Sequence, residues 1–319
     1  MREIRRSIGS TSIPHPSMPI PISARTSLLG VLGQPVRHSL SPEMHNAALA
    51  ELGLDWVYLA LPTPPAHLAT VVRALEAMDC RGISVTIPHK QAVAPLTAEL
   101  TPLARRLGAV NTLVRRPGGG WLGTNTDVEG FVSPLRTQGS WGDRQALVMG
   151  CGGSARAVVA GLVELGLGRI WVAGRRVDRL ETFVAECRSW APALEPHAWT
   201  VGGLGERLTQ CDLVVNTTPV GMAGTASGSS GAGAKGEDCP LVQAELDQLQ
   251  PGTTVYDLIY TPRPTPLLRD AGLRGCTCLD GLEMLVQQGA AALRLWSGLE
   301  QVPVASMRQA LLDRLSPLA

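Results

Sequence analysis

The segment from Gln145 to Arg176 limits the possible folds most. Gln145-Ala-Leu-Val-Met149 is a short apolar run with strand character, and Gly150-Cys-Gly-Gly-Ser-Ala-Arg156 follows it directly. Ala157 to Leu165 then carries helical spacing, Gly166 sits where a helix C-cap belongs, and Arg169-Ile-Trp-Val-Ala173 reads as a second strand. This is a strand–turn–helix–strand unit with a G-x-G-x-x-A turn at its first joint. Gly150 permits the tight turn, Gly152 lets the backbone approach a pyrophosphate, and Ala155 is small enough for helix and strand to pack closely. Free N–H groups at the helix start face the phosphates. A Gly-rich turn in any α/β domain can carry the same letters, but the position between strand and helix favours a dinucleotide site.

The tip of the second strand selects the dinucleotide. An NAD site usually ends this strand with an acid that holds the ribose 2′-hydroxyl. Here it ends Ala173-Gly174-Arg175-Arg176, with Arg179 one helical turn on. Paired guanidiniums suit a 2′-phosphate, so NADP is the expected cofactor. A solvated basic turn is the alternative.

The 319 residues suffice for two domains, each with its own core. A net charge of +1 implies neither a nucleic-acid surface nor an acidic partner. Seven cysteines without paired spacing predict a reducing, cytoplasmic setting, and Cys276-Thr-Cys278 is too close for ordinary zinc ligation. His38, His45 and His89 lie in no metal-binding spacing and read as polar residues of turns and helices, so no metal is expected. The most apolar window, Ala146 to Leu167, is broken by Arg156 and Glu164, which predicts a soluble protein. The first 26 residues hold Arg2, Arg5, Arg6 and Arg25 among Ser and Pro, lack the apolar centre of a secretory signal, and read as a disordered tail.

From Ser27 strand and helix alternate. Leu28–Leu32, Trp56–Leu61, Gly82–Ile87, Val110–Val114 and Trp121–Thr124 read as strands. Pro42–Leu52, Pro65–Met78, a stretch near Glu99–Leu107 and Val128–Arg136 read as helices. Beyond Arg176, 212–217 and 254–258 are buried-looking strands, and Gly224–Gly236 is a Gly/Ser/Ala-rich stretch that predicts a flexible loop. Helices over Gly281–Leu299 and Val304–Leu315 close the chain. The expected class is α/β, with a substrate domain over 27–128 completed by 282–319 and a doubly wound nucleotide domain over 129–281, the cleft between them.

Two residues outside the nucleotide unit carry chemical promise. Of 28 Lys plus Arg only Lys90 and Lys235 are lysines, and Lys235 falls in the Gly/Ser-rich stretch. Lys90 closes Ser84-Val-Thr-Ile-Pro-His-Lys90 at a strand end. In an arginine-rich chain a lone Lys there is either a surface residue or a group that must exchange a proton, which a guanidinium does not do. Asp127, just before a helix in Gly123-Thr-Asn-Thr-Asp127, reads as a helix cap or as a partner for such a lysine.

In this order the motifs resemble the shikimate dehydrogenase family from Leu28 to the C-terminal helices. Gly33-Gln-Pro-Val-Arg-His-Ser39-Leu-Ser41-Pro42 is similar to its opening motif, which implies that Ser39 and Ser41 hold a substrate carboxylate. Val85-Thr86-Ile-Pro-His-Lys90 resembles its catalytic-lysine segment, and Asn111 and Asp127 stand where members contact substrate hydroxyls. Tyr260 in Asp257-Leu-Ile-Tyr260 and Gln288 in the last motif are implied substrate contacts, with Thr86. Implied cofactor contacts are Gly150, Cys151, Gly152, Gly153, Ser154, Ala155, Arg156, Arg175, Arg176, Thr217, Leu258, Gly281 and Met284. Three positions depart from the family pattern: Ser84 replaces a frequent Asn, Gly174-Arg175-Arg176 replaces N-R-T, and Glu283 replaces a small residue.

The resemblance implies reversible, NADPH-dependent reduction of 3-dehydroshikimate to shikimate in aromatic amino acid biosynthesis by a monomer or homodimer. Lys90 would stabilise the ketone oxygen and deliver its proton, and Asp127 would orient the lysine. A quinate or quinate/shikimate dehydrogenase using NAD is the near alternative. A non-catalytic nucleotide sensor on the same fold is the distant one, against which the presence of Lys90 and Asp127 speaks. No fused dehydroquinase is expected, because two domains already account for the length.

Overall fold

The computed structural model describes residues 22–222 and 238–316. Residues 1–21 of the expected tail, and the 224–236 stretch with Lys235, lie outside the described residues. The end of the expected tail is tied down: the Ser23 N–H donates to Thr26 Oγ1 at 2.8 Å, and the Thr26 hydroxyl to Asp55 at 2.6 Å.

The first half runs β1 (Ser27–Gly33), α1 (Ser41–Glu51), β2 (Trp56–Pro62), α2 (Leu68–Ala77), β3 (Gly82–Val85), β4 (Glu99–Leu100), α3 (Pro102–Leu107), β5 (Thr112–Arg115), β6 (Trp121–Thr124) and α4 (Asp127–Arg136). Its sheet has the order β2-β1-β3-β5-β6-β4. β1 is parallel to β2 and β3, and β5 and β6 run antiparallel beyond them. The unbroken apolar run of β1 is buried on both faces, as a central parallel strand requires. At the β2 edge, the Asn46 amide donates to the Tyr58 carbonyl and accepts from the Tyr58 N–H, both at 2.9 Å, which blunts the edge against further pairing.

The second half runs β7 (Gln145–Met149), α5 (Gly153–Glu164), β8 (Arg169–Gly174), α6 (Val177–Cys187), β9 (Leu194–Ala198), α7 (Gly205–Leu208), β10 (Leu213–Asn216), α8 (Gln243–Leu246), β11 (Thr254–Asp257), α9 (Pro266–Gly272) and β12 (Thr277–Leu279). Its sheet is parallel in the order β12-β11-β10-β7-β8-β9. The chain winds outward from β7 in one direction and from β10 in the other, which opens a crevice at their C-terminal ends.

The last helices, α10 (Gly281–Ser297) and α11 (Val304–Leu315), return to the first sheet. Leu282, Val286, Leu293, Met307 and Leu311 share a core with Leu29, Val31, Met44 and Leu49. The Trp296 indole N–H donates to the Leu113 carbonyl at 3.0 Å, and a Cβ on Gly82 would come within 2.1 Å of that ring. Only glycine fits there. Glu283, the departure from the family pattern, accepts two hydrogen bonds from Arg308 at 2.8 and 2.7 Å and so ties α10 to α11. Those bonds hold its carboxyl below the usual range.

Several element boundaries differ from expectation for identifiable reasons. The stretch near Glu99–Leu107 is not one helix: Glu99–Leu100 pairs with β6, and α3 starts only at Pro102. Thr101 sets that start, its hydroxyl accepting the Ala104 N–H at 3.2 Å, and Pro102 occupies the first helical position. The strand expected to reach Ile87 stops at Val85, where residues 86–89 form a turn. α10 ends at Ser297 because Gly298 adopts a left-handed conformation, φ +72°.

Candidate active site

The segment after β3 turns back on the sheet and presents Lys90. The Thr86 N–H donates to the Leu32 carbonyl at 2.9 Å, and the Val110 N–H to the Lys90 carbonyl at 2.7 Å. His89 is buried, with Nε2 2.7 Å from the Thr63 carbonyl oxygen. The neighbouring side chains therefore part: His89 anchors the turn inward, and Lys90 faces the cleft.

Asp127 opens α4 without capping it; its N–H donates to Asn125 Oδ1 at 3.0 Å. Its carboxylate accepts from Lys90 Nζ at 2.7 Å and from Asn111 Nδ2 at 2.8 Å. Asn111 is fixed in turn, its Oδ1 accepting the Thr126 N–H at 2.8 Å and the Thr112 hydroxyl at 2.9 Å. The side chains of Lys90 and Asp127 are 15% and 7% exposed, so the pair is sheltered yet reachable. A carboxylate with both oxygens engaged cannot swing, and the ammonium it holds has a defined direction.

Two cavities meet at this lysine. The smaller, 180 Å³, is lined by Ser39, Ser41, Thr86, Lys90, Asn111, Asp127, Tyr260 and Gln288, so all eight expected substrate contacts surround one space. The hydroxyls of Ser39 and Ser41 lie 3.2 Å apart at the start of α1, where Ser39 Oγ also accepts the Ser41 N–H at 3.3 Å. Two hydroxyls at a helix N-terminus suit a carboxylate. Burial, and then the charge of Glu43, push the Tyr260 hydroxyl upward, so it remains a neutral donor. The larger cavity, 710 Å³, also includes Lys90 and runs along Gly150, Cys151, Gly152, Gly153 and Ser154 to Arg175 and Arg176, with Thr217 on its wall. Ser154 borders both spaces.

The larger cavity fits a phosphorylated dinucleotide. Gly150 has φ +106°, and a Cβ there would lie 2.6 Å from Thr217 Oγ1. A Cβ on Gly152 would meet nothing within 4 Å, so the backbone faces open space at the start of α5, which no side chain caps. Arg179 joins Arg175 and Arg176 at the far end, and all three are exposed.

Five expected cofactor contacts sit elsewhere. Leu258, Gly281 and Met284 border the smaller cavity rather than the larger one. Gly281 packs so tightly that a Cβ would lie 2.0 Å from the Leu258 carbonyl oxygen. Ala155, in the first turn of α5, is wholly buried in the core and borders neither space. Arg156 is a correction. It turns inward, ion-paired with Glu186, with its guanidinium 5.5 Å from the Phe183 ring and Nη1 donating to the Leu107 carbonyl at 3.4 Å. Pairing and burial of the aliphatic stem outweigh phosphate binding there. Arg156→Met should leave the KM for the dinucleotide unchanged and lower stability by about 1–2 kcal/mol, measured by urea unfolding.

Sequence reasoning missed Trp199 and Thr218 on the larger cavity. Trp199 follows β9, whose sequence Leu-Glu-Pro-His-Ala lacks strand patterning, and its N–H donates to the Gly174 carbonyl at 3.0 Å. No local signal marked it.

Comparison with known proteins bears on this geometry. The description "Shikimate dehydrogenase substrate binding domain" matches residues 31–113, and "Shikimate 5'-dehydrogenase C-terminal domain" matches 281–312. The NADP(+) shikimate dehydrogenase of Nostoc sp. is 48% identical over 301 residues, covering 92% of this chain and 99% of the relative. The chain belongs to the shikimate dehydrogenase family. Among solved members of this family, a shikimate dehydrogenase in complex with NADP+ superposes with a TM-score of 0.83 at 31% identity, covering 94% of this chain and 99% of the other. The Thermus thermophilus enzyme in complex with NADP(H) and shikimate gives 0.76 at 34% identity, covering 90% and 99%.

Proposed function

We infer that this chain is an NADP-dependent shikimate dehydrogenase, which reversibly reduces 3-dehydroshikimate to shikimate. One observation carries the reading: the Lys90 ammonium, held by Asp127 at 2.7 Å, belongs to the walls of both cavities. The relatives named for this activity and complexed with these ligands support it.

In the smaller cavity Ser39 and Ser41 receive the carboxylate, and Asn111, Thr86, Tyr260 and Gln288 take the ring hydroxyls. In the larger one the Gly150–Ser154 backbone receives the pyrophosphate, and Arg175 and Arg176 receive the 2′-phosphate. The bound cofactor supplies hydride to the ketone carbon. Lys90 donates its proton to the oxygen as negative charge grows there, and takes one back when the alcohol is oxidised. Asp127 keeps Nζ aimed at that oxygen throughout.

The common core of 27–128 with α10 and α11 supports treating these as the substrate unit, with 129–281 as the NADP unit. We place the enzyme in the cytoplasm; all seven cysteines are unpaired, and no helix among the described residues is long and apolar enough to cross a membrane. Initial rates with shikimate and quinate, each with NADP and NAD, test the function. Shikimate with NADP should give the highest kcat/KM; a preference for quinate with NAD would overturn the reading.

A further inference from the structure

The site described so far leaves two buried carboxylates of the described residues unused, Glu245 and Asp257, and only Asp257 ends a strand beside residues that line the cavities. Asp257 is the last residue of β11 and stands in register with Asn216, the last residue of β10. The residues that follow part to different cavities. Thr217 and Thr218 after β10 line the larger space, and Leu258 and Tyr260 after β11 line the smaller one.

Asp257 is wholly buried and accepts three hydrogen bonds. Asn216 Nδ2 donates to it at 3.0 Å, the Ile259 N–H at 3.1 Å and the Thr265 hydroxyl at 2.7 Å. Asn216 passes the constraint on, because its Oδ1 accepts both the Thr218 N–H at 3.0 Å and the Thr218 hydroxyl at 2.7 Å. On the other side, the Ile259 carbonyl accepts the Gly281 N–H at 3.1 Å, at the start of α10. One carboxylate thus sets the path of the chain into both cavities. Burial pushes its carboxyl up to about 6 despite the three donors, so holding a charge there opposes folding at neutral pH.

We propose that Asp257 is a positioning residue for hydride transfer, fixing the Thr218 wall of the cofactor cavity relative to the Tyr260 wall of the substrate cavity. It touches neither ligand and acts through Asn216, Ile259 and Thr265. The proposal rests on the reading that the two cavities hold NADP and shikimate.

Asp257→Asn tests it. The amide keeps an oxygen for two of the donors and loses the acceptor facing Thr265. We expect a cooperative melt within a few degrees of wild type, a kcat lower by about thirtyfold and a larger isotope effect with cofactor deuterated at the transferred position, because misplacement slows the chemical step. Calorimetric binding of shikimate to the cofactor-free enzyme should weaken several-fold through Tyr260. Binding of NADP, gripped mainly at its phosphates, should hold. If Asp257→Asn folds poorly, Thr265→Val against Thr265→Ser decides: the valine should lower kcat and the serine preserve it. Wild-type kcat and wild-type shikimate affinity in Asp257→Asn, or equal rates in the two Thr265 variants, would overturn the proposal. Failure of the wild-type protein to bind or oxidise shikimate would overturn the functional reading instead.

Discussion

Lys90→Ala is expected to lower kcat about a thousandfold, with the KM for shikimate within a few-fold of wild type. On the proposed reading substrate binding is spread over Ser39, Ser41, Thr86, Asn111, Tyr260 and Gln288, which line the same cavity and all remain. The lost interaction grows only as the oxygen gains charge, so it acts on the transition state more than on the bound substrate. Lys90→Arg should not rescue the rate. A guanidinium supplies positive charge but gives up no proton, and its planar fork cannot match a single Nζ held 2.7 Å from Asp127. Asp127→Asn should cost less than Lys90→Ala, because the proton donor survives and only its aim suffers. Steady-state rates for the three variants in both directions check the ranking.

Replacing Arg175 and Arg176 together by Ala should raise the KM for NADP roughly fiftyfold and leave kcat/KM with NAD within a few-fold of wild type. In the proposed role each guanidinium would contribute charge-assisted hydrogen bonds to a phosphate dianion, and because both are exposed the pair would supply about 2–3 kcal/mol. The same exposure makes the grip sensitive to salt, so wild-type KM for NADP should rise with ionic strength while that for NAD changes little. Equal loss with both cofactors would move the arginines from phosphate recognition to general structure.

The parts of this site that could be read from sequence are the local ones. Gly150 to Ser154 and the strands around them form one continuous segment, so turn chemistry and apolar pattern point to the same unit. Lys90 stood out by composition, one lysine at a strand end in an arginine-rich chain. Direction was harder to read than position. Arg156 falls inside the phosphate motif, yet the partner that turns it inward, Glu186, is thirty residues on, and no spacing rule links the two. Non-local partners hid Asp257 in the same way, since Asn216 lies 41 residues earlier and the pair meets only through the register of β10 and β11. Trp199 was missed because β9 is an edge strand carrying Pro196 and Glu195, a composition that edges tolerate and sequence patterns do not mark. α6 was left unread as well, although Leu180, Phe183, Val184 and Cys187 recur at helical spacing and are the residues it buries.

Single-turnover hydride transfer, with enzyme in excess over NADPH and 3-dehydroshikimate saturating, isolates the step assigned to Lys90. The wild-type protein should oxidise the bound NADPH in one rapid phase. Lys90→Ala should bind NADPH with unchanged affinity and oxidise it about a thousandfold more slowly. An equally fast phase in both proteins would contradict the assignment of Lys90 as the proton donor between the two cavities.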